Sequence, residues 1–216
     1  LLLLSFEGID GCGKSTQARL LRDHLRAEGL DPLLVREPGG AELSERVRTL
    51  LLDESLQVDP MAELLLFSAA RAQLVGSKIR PALDAGRVVL CDRFYDSTTA
   101  YQGGGRQIAD PNWLDGLHER VTGGLVPDRT YLIEISPDEA RRRRDAERPD
   151  EETPVDRMET EDGHFYERVA ETYAALADAE PDRFCRLDGA QSIDDLQQAI
   201  RSDVHRLLDP DPSPGA

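Results

Sequence analysis

The stretch Gly8-Ile9-Asp10-Gly11-Cys12-Gly13-Lys14-Ser15 fits the pattern G-x-x-x-x-G-K-[ST], and its surroundings decide the fold. An apolar run, Leu1–Phe6, leads into it and reads as a buried strand. A periodic amphipathic segment, Lys14–Glu28, leads out of it and reads as a helix. Strand, glycine-rich turn and helix together are the setting a phosphate-binding loop requires. Glycines allow backbone N–H groups to turn inward around phosphate oxygens. The helix N-terminus adds positive partial charge. Gly8, Ile9, Asp10, Gly11, Cys12 and Gly13 are therefore expected to cradle the phosphates of a nucleoside triphosphate, with Thr16 on the first helical turn. Lys14 would reach the β- and γ-phosphates, and the Ser15 hydroxyl would hold Mg²⁺.

Outward from this loop, Pro32–Arg36, Val88–Asp92, Thr130–Ile135 and Arg183–Leu187 read as further strands. Helical patterns fall near Leu43–Leu52, Met61–Asp84, Asn112–Val121, Pro137–Glu147, Gly163–Asp178 and Ser192–Leu208. Strands alternating with helices predict an α/β fold of the P-loop NTPase type. This is a three-layer α/β/α arrangement around a parallel sheet of about five strands. Residues 1–208 are expected to form one domain. Within it a charged, proline-containing stretch at about 148–160 looks like a small lid, and the Pro-rich tail 209–216 is expected to be disordered. Ligands of such sheets bind beyond the strand C-termini, where the motifs of this chain fall.

The 216 residues carry a formal charge of −16. That excess opposes a nucleic-acid polymer as partner, since polynucleotide-binding domains are basic. It reads as a solvated surface, in keeping with a high-salt setting. No run approaches a membrane span, and Leu1–Leu4 is too short for a secretory segment. Cys12, Cys91 and Cys185 are widely spaced and odd in number, which fits a reducing cytoplasm rather than a disulfide framework.

Val88-Val89-Leu90-Cys91-Asp92 is an apolar run ending in an acid. In phosphate-loop proteins such an Asp is the second Mg²⁺ element, the reading favoured after a phosphate loop; the alternative is a cap on the following helix. Arg36, Arg71, Arg93 and Arg106 fall at strand ends or on helices near the same edge. A guanidinium fork matches phosphate oxygens, so convergence of these residues would make an acceptor-phosphate site; singly, each is a surface residue. Arg141-Arg142-Arg143-Arg144 cannot share one helix face, because each step rotates about 100°. Some of them are plain solvated charge. Phe67 lies one turn before Arg71 and shares its face, as a base-stacking partner or as core. His24, His118, His164 and His205 lie on helical patterns away from the strand ends. Without an obvious base, an acceptor that is already ionised, a phosphate, is favoured over a hydroxyl.

With these residues in place, the chain resembles the thymidylate kinase family over nearly its whole length, from Phe6 to about Leu196. The phosphate loop continues through Thr16-Gln17, Arg36-Glu37-Pro38-Gly39-Gly40 looks like the family's second-strand motif, and Asp92-Arg93-Phe94-Tyr95-Asp96-Ser97-Thr98-Thr99-Ala100-Tyr101-Gln102-Gly103 looks like its signature segment. Asp156-Arg157-Met158-Glu159 resembles its lid motif. The resemblance implies a cytoplasmic homodimer that moves the γ-phosphoryl of ATP onto dTMP, a step toward dTTP. It implies that Phe67 stacks on thymine, Arg71 bonds its O4 edge and Thr98 sits near its N3. Arg93 and Arg36 would hold the acceptor phosphate, with Asp10 at the 3′-hydroxyl and Tyr101 crowding the 2′ position. Ser97, Gln102, Asp156 and Glu159 would complete the acceptor site. Arg143 would stack on adenine, with Gln191 in the loop against its other face. Some members carry an arginine where this chain has Gly11. The resemblance therefore assigns the catalytic charge to a lid arginine, Arg148 or Arg157, alongside Lys14 and Arg93. Spare apolar residues Leu64, Leu65, Leu66, Leu74 and Val75 are candidates for a dimer face. A kinase for another acceptor, or a nucleotide-dependent switch, are the competing readings.

Overall fold

The computed structural model describes residues 2–147 and 163–209. Its strands are β1 (Leu2–Glu7), β2 (Leu33–Arg36), β3 (Val88–Asp92), β4 (Arg129–Glu134) and β5 (Phe184–Asp188). They form one sheet in the order β2-β3-β1-β4-β5, with every pair parallel. The helices are α1 (Lys14–Ala27), α2 (Glu42–Leu52), α3 (Pro60–Leu74), α4 (Arg80–Asp84), α5 (Tyr95–Thr98), α6 (Pro111–Thr122), α7 (Pro137–Glu147), α8 (Gly163–Ala179) and α9 (Ile193–Leu208). Two π-helical stretches, Val75–Ile79 and Thr99–Gly105, join α3 to α4 and extend α5.

Alternation along the strands divides the core. Leu2, Leu4 and Phe6 of β1 face α1 and α9, packing with Leu21, Leu25, Ile200 and Val204. Leu3 faces the opposite side with Leu74, Ile79 and Leu83 from the α3–α4 run. On that side, over β4 and β5, α8 packs Val169 and Tyr173 against Leu132 and Phe184. Helices thus cover both faces, giving the three layers expected. Parallel strands buried on both faces read as continuous apolar runs, which is why they were legible.

The five expected strands agree with the observed ones to within a residue at each end. The expected Met61–Asp84 helix is broken in register by Val75–Ile79, and Tyr95–Gly105 is helical where no helix was expected. Leu64, Leu74 and Val75 are core, and Leu66 is half-buried, so they offer no dimer face; the exposed large apolar residues of α3 are Met61 and Leu65. The expected lid, 148–160, lies outside the described residues, and so does the tail from 210 on.

Candidate active site

The first structural consequence of the loop is steric. Gly8 follows β1 at φ +136°, and a Cβ there would lie 2.5 Å from the carbonyl oxygen of Ile133. Gly11 has φ +86°, and a Cβ there would lie 2.7 Å from the carbonyl oxygen of Ala140 on α7. No side chain fits at either position, and an arginine at Gly11 would displace α7. Lys14 is buried at the start of α1, its Nζ 3.4 Å from the carbonyl oxygen of Ile9 and 3.5 Å from Asp10 Oδ1. That holds its ammonium inside the curve of the loop.

β3 runs beside β1, so the residues that follow it emerge next to the loop. Arg93 has φ 72°, the left-handed region, and its backbone N–H donates to the carbonyl of Phe6. This backbone conformation is unfavourable for a residue with a side chain, and such strain concentrates at functional positions. It turns the guanidinium across the loop mouth. Nη2 donates to Asp10 Oδ1 at 2.7 Å and to the Tyr101 hydroxyl at 2.9 Å. Nη1 donates to Ser97 Oγ at 2.9 Å and to the Tyr173 hydroxyl at 3.3 Å. The Tyr101 hydroxyl in turn donates to Asp10 Oδ2 at 2.8 Å. Burial alone would push the Asp10 carboxyl up, but Arg93 and Lys14 outweigh it and hold the group well below the usual carboxylate range. Asp10 is therefore an anion at neutral pH. Burial keeps the Tyr101 phenol protonated and a hydrogen-bond donor.

Beneath this cluster lies Glu7, which the sequence reading did not single out. It accepts from the Phe94 N–H at 2.6 Å, Ser97 Oγ at 2.6 Å and the Tyr173 hydroxyl at 2.8 Å. Burial, with Asp96 nearby, pushes its carboxyl up. An acid at a strand end gave no signal of this; only the packing of α5 and α8 onto β1 creates it.

Asp10, Lys14, Ser15, Asp92 and Arg93 open onto a cavity of about 280 Å³, whose far wall carries Arg36, Phe67, Arg71, Ser97, Thr98, Tyr101 and Gln102. Phe67 and Arg71 share one face of α3, as their spacing implied. Arg71 is fully buried: Nε donates to Glu37 Oε2 at 2.7 Å, Nη1 to Thr98 Oγ1 at 2.9 Å and Nη2 to the carbonyl of Phe94 at 3.2 Å. A guanidinium has five N–H donors, so Arg71 can still present an N–H to a ligand. Gln102 Nε2 is tied to Glu63. Arg36 is half-exposed at the rim, paired with Glu45 at 3.2 Å. Arg106 departs from the expected convergence: Glu63 holds it at 3.1 Å over the Phe165 ring, outside this cavity's wall.

A second cavity, of about 580 Å³, opens on the other side of the loop and is lined by Gly8, Ile9, Glu139, Arg143, Asp188 and Ala190 among others. Arg143 is braced by Glu139 at 2.7 Å and the carbonyl of Gly189 at 2.9 Å. Gln191 is exposed and is not in this wall. The arginine run resolves as its rotation required. Arg141 is exposed, Arg142 is exposed and paired with Glu139, Arg143 faces the cavity, and Arg144 turns back onto the loop. Arg148, Asp156, Arg157 and Glu159 lie outside the described residues.

The thymidylate kinase family profile matches residues 6–200. The chain belongs to the thymidylate kinase family. It is 45% identical over 205 residues to the thymidylate kinase of Caldanaerobacter subterraneus subsp. tengcongensis, covering 95% of both chains. It is 46% identical over 211 residues to that of Desulfovibrio desulfuricans, covering 96% of both. Among solved structures, the crystal structure of thymidylate kinase from Ehrlichia chaffeensis superposes with a TM-score of 0.75 at 33% identity, over 94% of this chain and 98% of that one. The reaction of a thymidylate kinase is ATP-dependent phosphorylation of dTMP to dTDP, and this chain is accordingly a nucleoside monophosphate kinase. Two cavities flanking one phosphate loop suit two nucleotides that must meet end to end.

Mg²⁺ is the ion such kinases use, and the residues present fit it. Asp92 and Ser15 line the same cavity, and Asp92 Oδ1 is a buried carboxylate oxygen with no hydrogen-bond partner among the described residues. Oxygen donors of this kind are what a hard divalent cation takes.

Proposed function

We propose that the cavity walled by Phe67, Arg71 and Arg93 receives dTMP, and that the cavity walled by Arg143 receives ATP. The observation that carries this reading is that Lys14 and Asp10 of the phosphate loop share one cavity wall with Phe67 and Arg71. An aromatic plane beside a guanidinium suits a pyrimidine base: the ring stacks and the N–H donates to a carbonyl edge. Arg93 takes the acceptor phosphate, Asp10 the 3′-hydroxyl, and the Tyr101 ring closes the space where a 2′-hydroxyl would sit. Ser97, Thr98 and Gln102 complete the wall.

In the reaction a phosphate oxygen of dTMP attacks the γ-phosphorus. A new P–O bond forms as the bond to the β-phosphate breaks, and ADP leaves. The acceptor oxygen is already ionised, so no general base is called for; positioning and charge neutralisation do most of the catalysis. Lys14 and the backbone amides of Gly8–Thr16 hold the transferring phosphates. Mg²⁺, held by Ser15 and Asp92, would supply further neutralisation. Because Gly11 has no room for a side chain, we assign the remaining catalytic charge to a lid arginine, Arg148 or Arg157. The lid acids Asp156 and Glu159 belong over the acceptor sugar, and Gln191 over the outer face of adenine.

A coupled ADP-release assay across dTMP, dUMP, UMP, CMP, AMP and GMP tests the substrate assignment. dTMP should be preferred, ATP consumption should depend on the acceptor, and Lys14→Ala should abolish turnover while leaving the fold intact. Preference for UMP, CMP, AMP or GMP would refute the assignment, and acceptor-independent ATP consumption would favour a switch. We further infer a cytoplasmic homodimer; free Cys12 and Cys91, both buried, suit a reducing compartment, and Met61 and Leu65 are the apolar residues α3 offers to a partner copy. Sedimentation at twice the chain mass is the expected result.

A further inference from the structure

The C-terminal ends of α1 and α9 lie side by side on the face of the sheet opposite α8, fixed by packing of Leu21 and Leu25 against Ile200 and Val204. Three side chains with lone pairs meet there. His24 sits in the last turn of α1, Glu28 caps that helix four residues later, and His205 sits in the last turn of α9. His24 Nε2 lies 3.4 Å from His205 Nε2. Glu28 Oε1 lies 3.3 Å from His24 Nε2 and 3.4 Å from His205 Nε2. The two rings stand edge to face at 87°.

These separations have a specific meaning. Tetrahedral zinc with bonds of about 2.0–2.1 Å sets its ligand atoms about 3.3–3.4 Å apart. All three edges of the triangle match that figure. The nitrogen–nitrogen distance exceeds the usual hydrogen-bond length of about 2.9–3.0 Å. The backbone around the triangle is hydrogen-bonded at both helix ends. Glu28 N–H donates to the His24 carbonyl and Asp209 N–H to the His205 carbonyl, closing both helix ends around the triangle. Both imidazoles border a solvent-facing depression lined also by Asp194, Gln197, Gln198, Arg201 and Ser202, and water commonly completes a three-ligand tetrahedral set. A chain of net charge −16 also favours a cation at its surface.

We propose that His24, Glu28 and His205 form a Zn²⁺ site that clamps α9 to α1. Two imidazoles and one carboxylate are donors that suit this ion. Ten residues of helix, about 15 Å, separate His24 from Lys14, so the site acts on the fold and not on the chemistry. Among the described residues it is the one group of three histidine, cysteine or acidic side chains that converges in this way. A ligand present in the folded chain and scattered in the unfolded one raises stability by mass action.

The test uses the tag-free full chain, stripped with chelator and kept in excess Mg²⁺ so that the nucleotide site is saturated. Calorimetric titration with Zn²⁺ should show one ion per chain with micromolar affinity. Co²⁺ in its place should give the visible absorption of a tetrahedral site. His24→Ala and His205→Ala should each weaken Zn²⁺ by more than about tenfold, the low end of what even a residue outside the ligand set costs. Both variants should keep wild-type kinase activity. At about 100 times the dissociation constant, Zn²⁺ should raise the wild-type Tm by about 5–10 °C and leave both variants unmoved. Glu28→Gln, a surface change that keeps the shape, should also lose affinity. Zn²⁺ binding no tighter than millimolar in the wild type, or equal affinity in the two histidine variants, overturns the proposal.

Discussion

Arg144 reaches from α7 to donate to the backbone carbonyl of Asp10 at 2.9 Å, with its guanidinium 5.0 Å above the Tyr166 ring. The phosphate loop is thus fastened from outside, one turn after Ala140 closes over Gly11. The arginine is a positioning residue, because its bond is to the loop's main chain. Arg144→Ala should free that carbonyl and raise KM for ATP several-fold, with kcat falling less. Gly11→Ala should do more, since its Cβ meets backbone: a fall in kcat/KM of about 10²-fold is in keeping with a displacement near 1 Å at a catalytic site. Steady-state kinetics at varied ATP separate the two; an Arg144→Ala enzyme with unchanged KM would remove the brace from the account.

Arg93 is held by four oxygens, and its fork geometry is what allows that. Lysine keeps the charge but not the fork. Arg93→Lys should therefore lose nearly as much activity as Arg93→Ala, with kcat down by about 10²–10³, the usual cost of removing one preorganised charge-stabilising donor. Single-turnover measurement with bound dTMP isolates the chemical step. Near-wild-type turnover in the lysine variant would mean that a point charge suffices there.

The Arg71–Glu37 pair is almost fully buried, with side chains 2% and 4% exposed. Removing one partner leaves the other charged and desolvated, at a cost of about 3–5 kcal/mol. Glu37→Ala should lose stability on that scale in urea titration, whereas Glu37→Gln keeps an acceptor for Arg71 Nε and should lose less. Because Arg71 lines the acceptor cavity, KM for dTMP should rise in both while KM for ATP stays put. Equal stability of the alanine and glutamine variants would show that the retained acceptor contributes nothing and that the loss is that of the charge.

Much of this fold was legible because parallel strands between two helical layers carry short apolar runs, and because the loop motif is local. Phe67 and Arg71 were legible as a pair because one helical turn separates them. What was not legible depends on distant approach. Thr99–Gly105 carries Gly103-Gly104-Gly105 and reads as a loop, yet it is helical because α8 presses on it: a Cβ on Gly104 would overlap the Thr172 side chain, and one on Gly105 would lie 2.5 Å from Phe165. Glu7 gave no signal because its three donors come from residues about 90 or more positions away. Within Arg141–Arg144, rotation told how many could face inward, but not that Arg144 would find the Asp10 carbonyl. The His24–Glu28 spacing was local, while its third member came from the far end of the chain.

His118 supplies the clearest pH dependence. It is buried on α6, its Nε2 2.9 Å from Thr99 Oγ1, its ring stacked 5.1 Å from Tyr95, and its Nδ1 without a hydrogen-bond partner among the described residues. Burial, with Arg71 adding to it, lowers its pKa from 6.5 to about 3. Between those values the unfolded chain binds a proton that the folded chain does not, so stability rises with pH across this window and is lost on acidification. At pH 5 the group has withheld its proton over about 1.5 pH units, a loss of about 2 kcal/mol relative to pH 7.5. Buried carboxyls pushed up by burial, Glu7 and Glu37 among them, act in the opposite sense, so the comparison must be between variants. Urea unfolding at pH 7.5 and pH 5.0 should show a drop in the wild type that is smaller by about 2 kcal/mol in His118→Asn, which cannot take the proton. An identical drop in both proteins would mean that the folded state accepts the proton after all, through a water or a side-chain rotation that opens the Nδ1 edge.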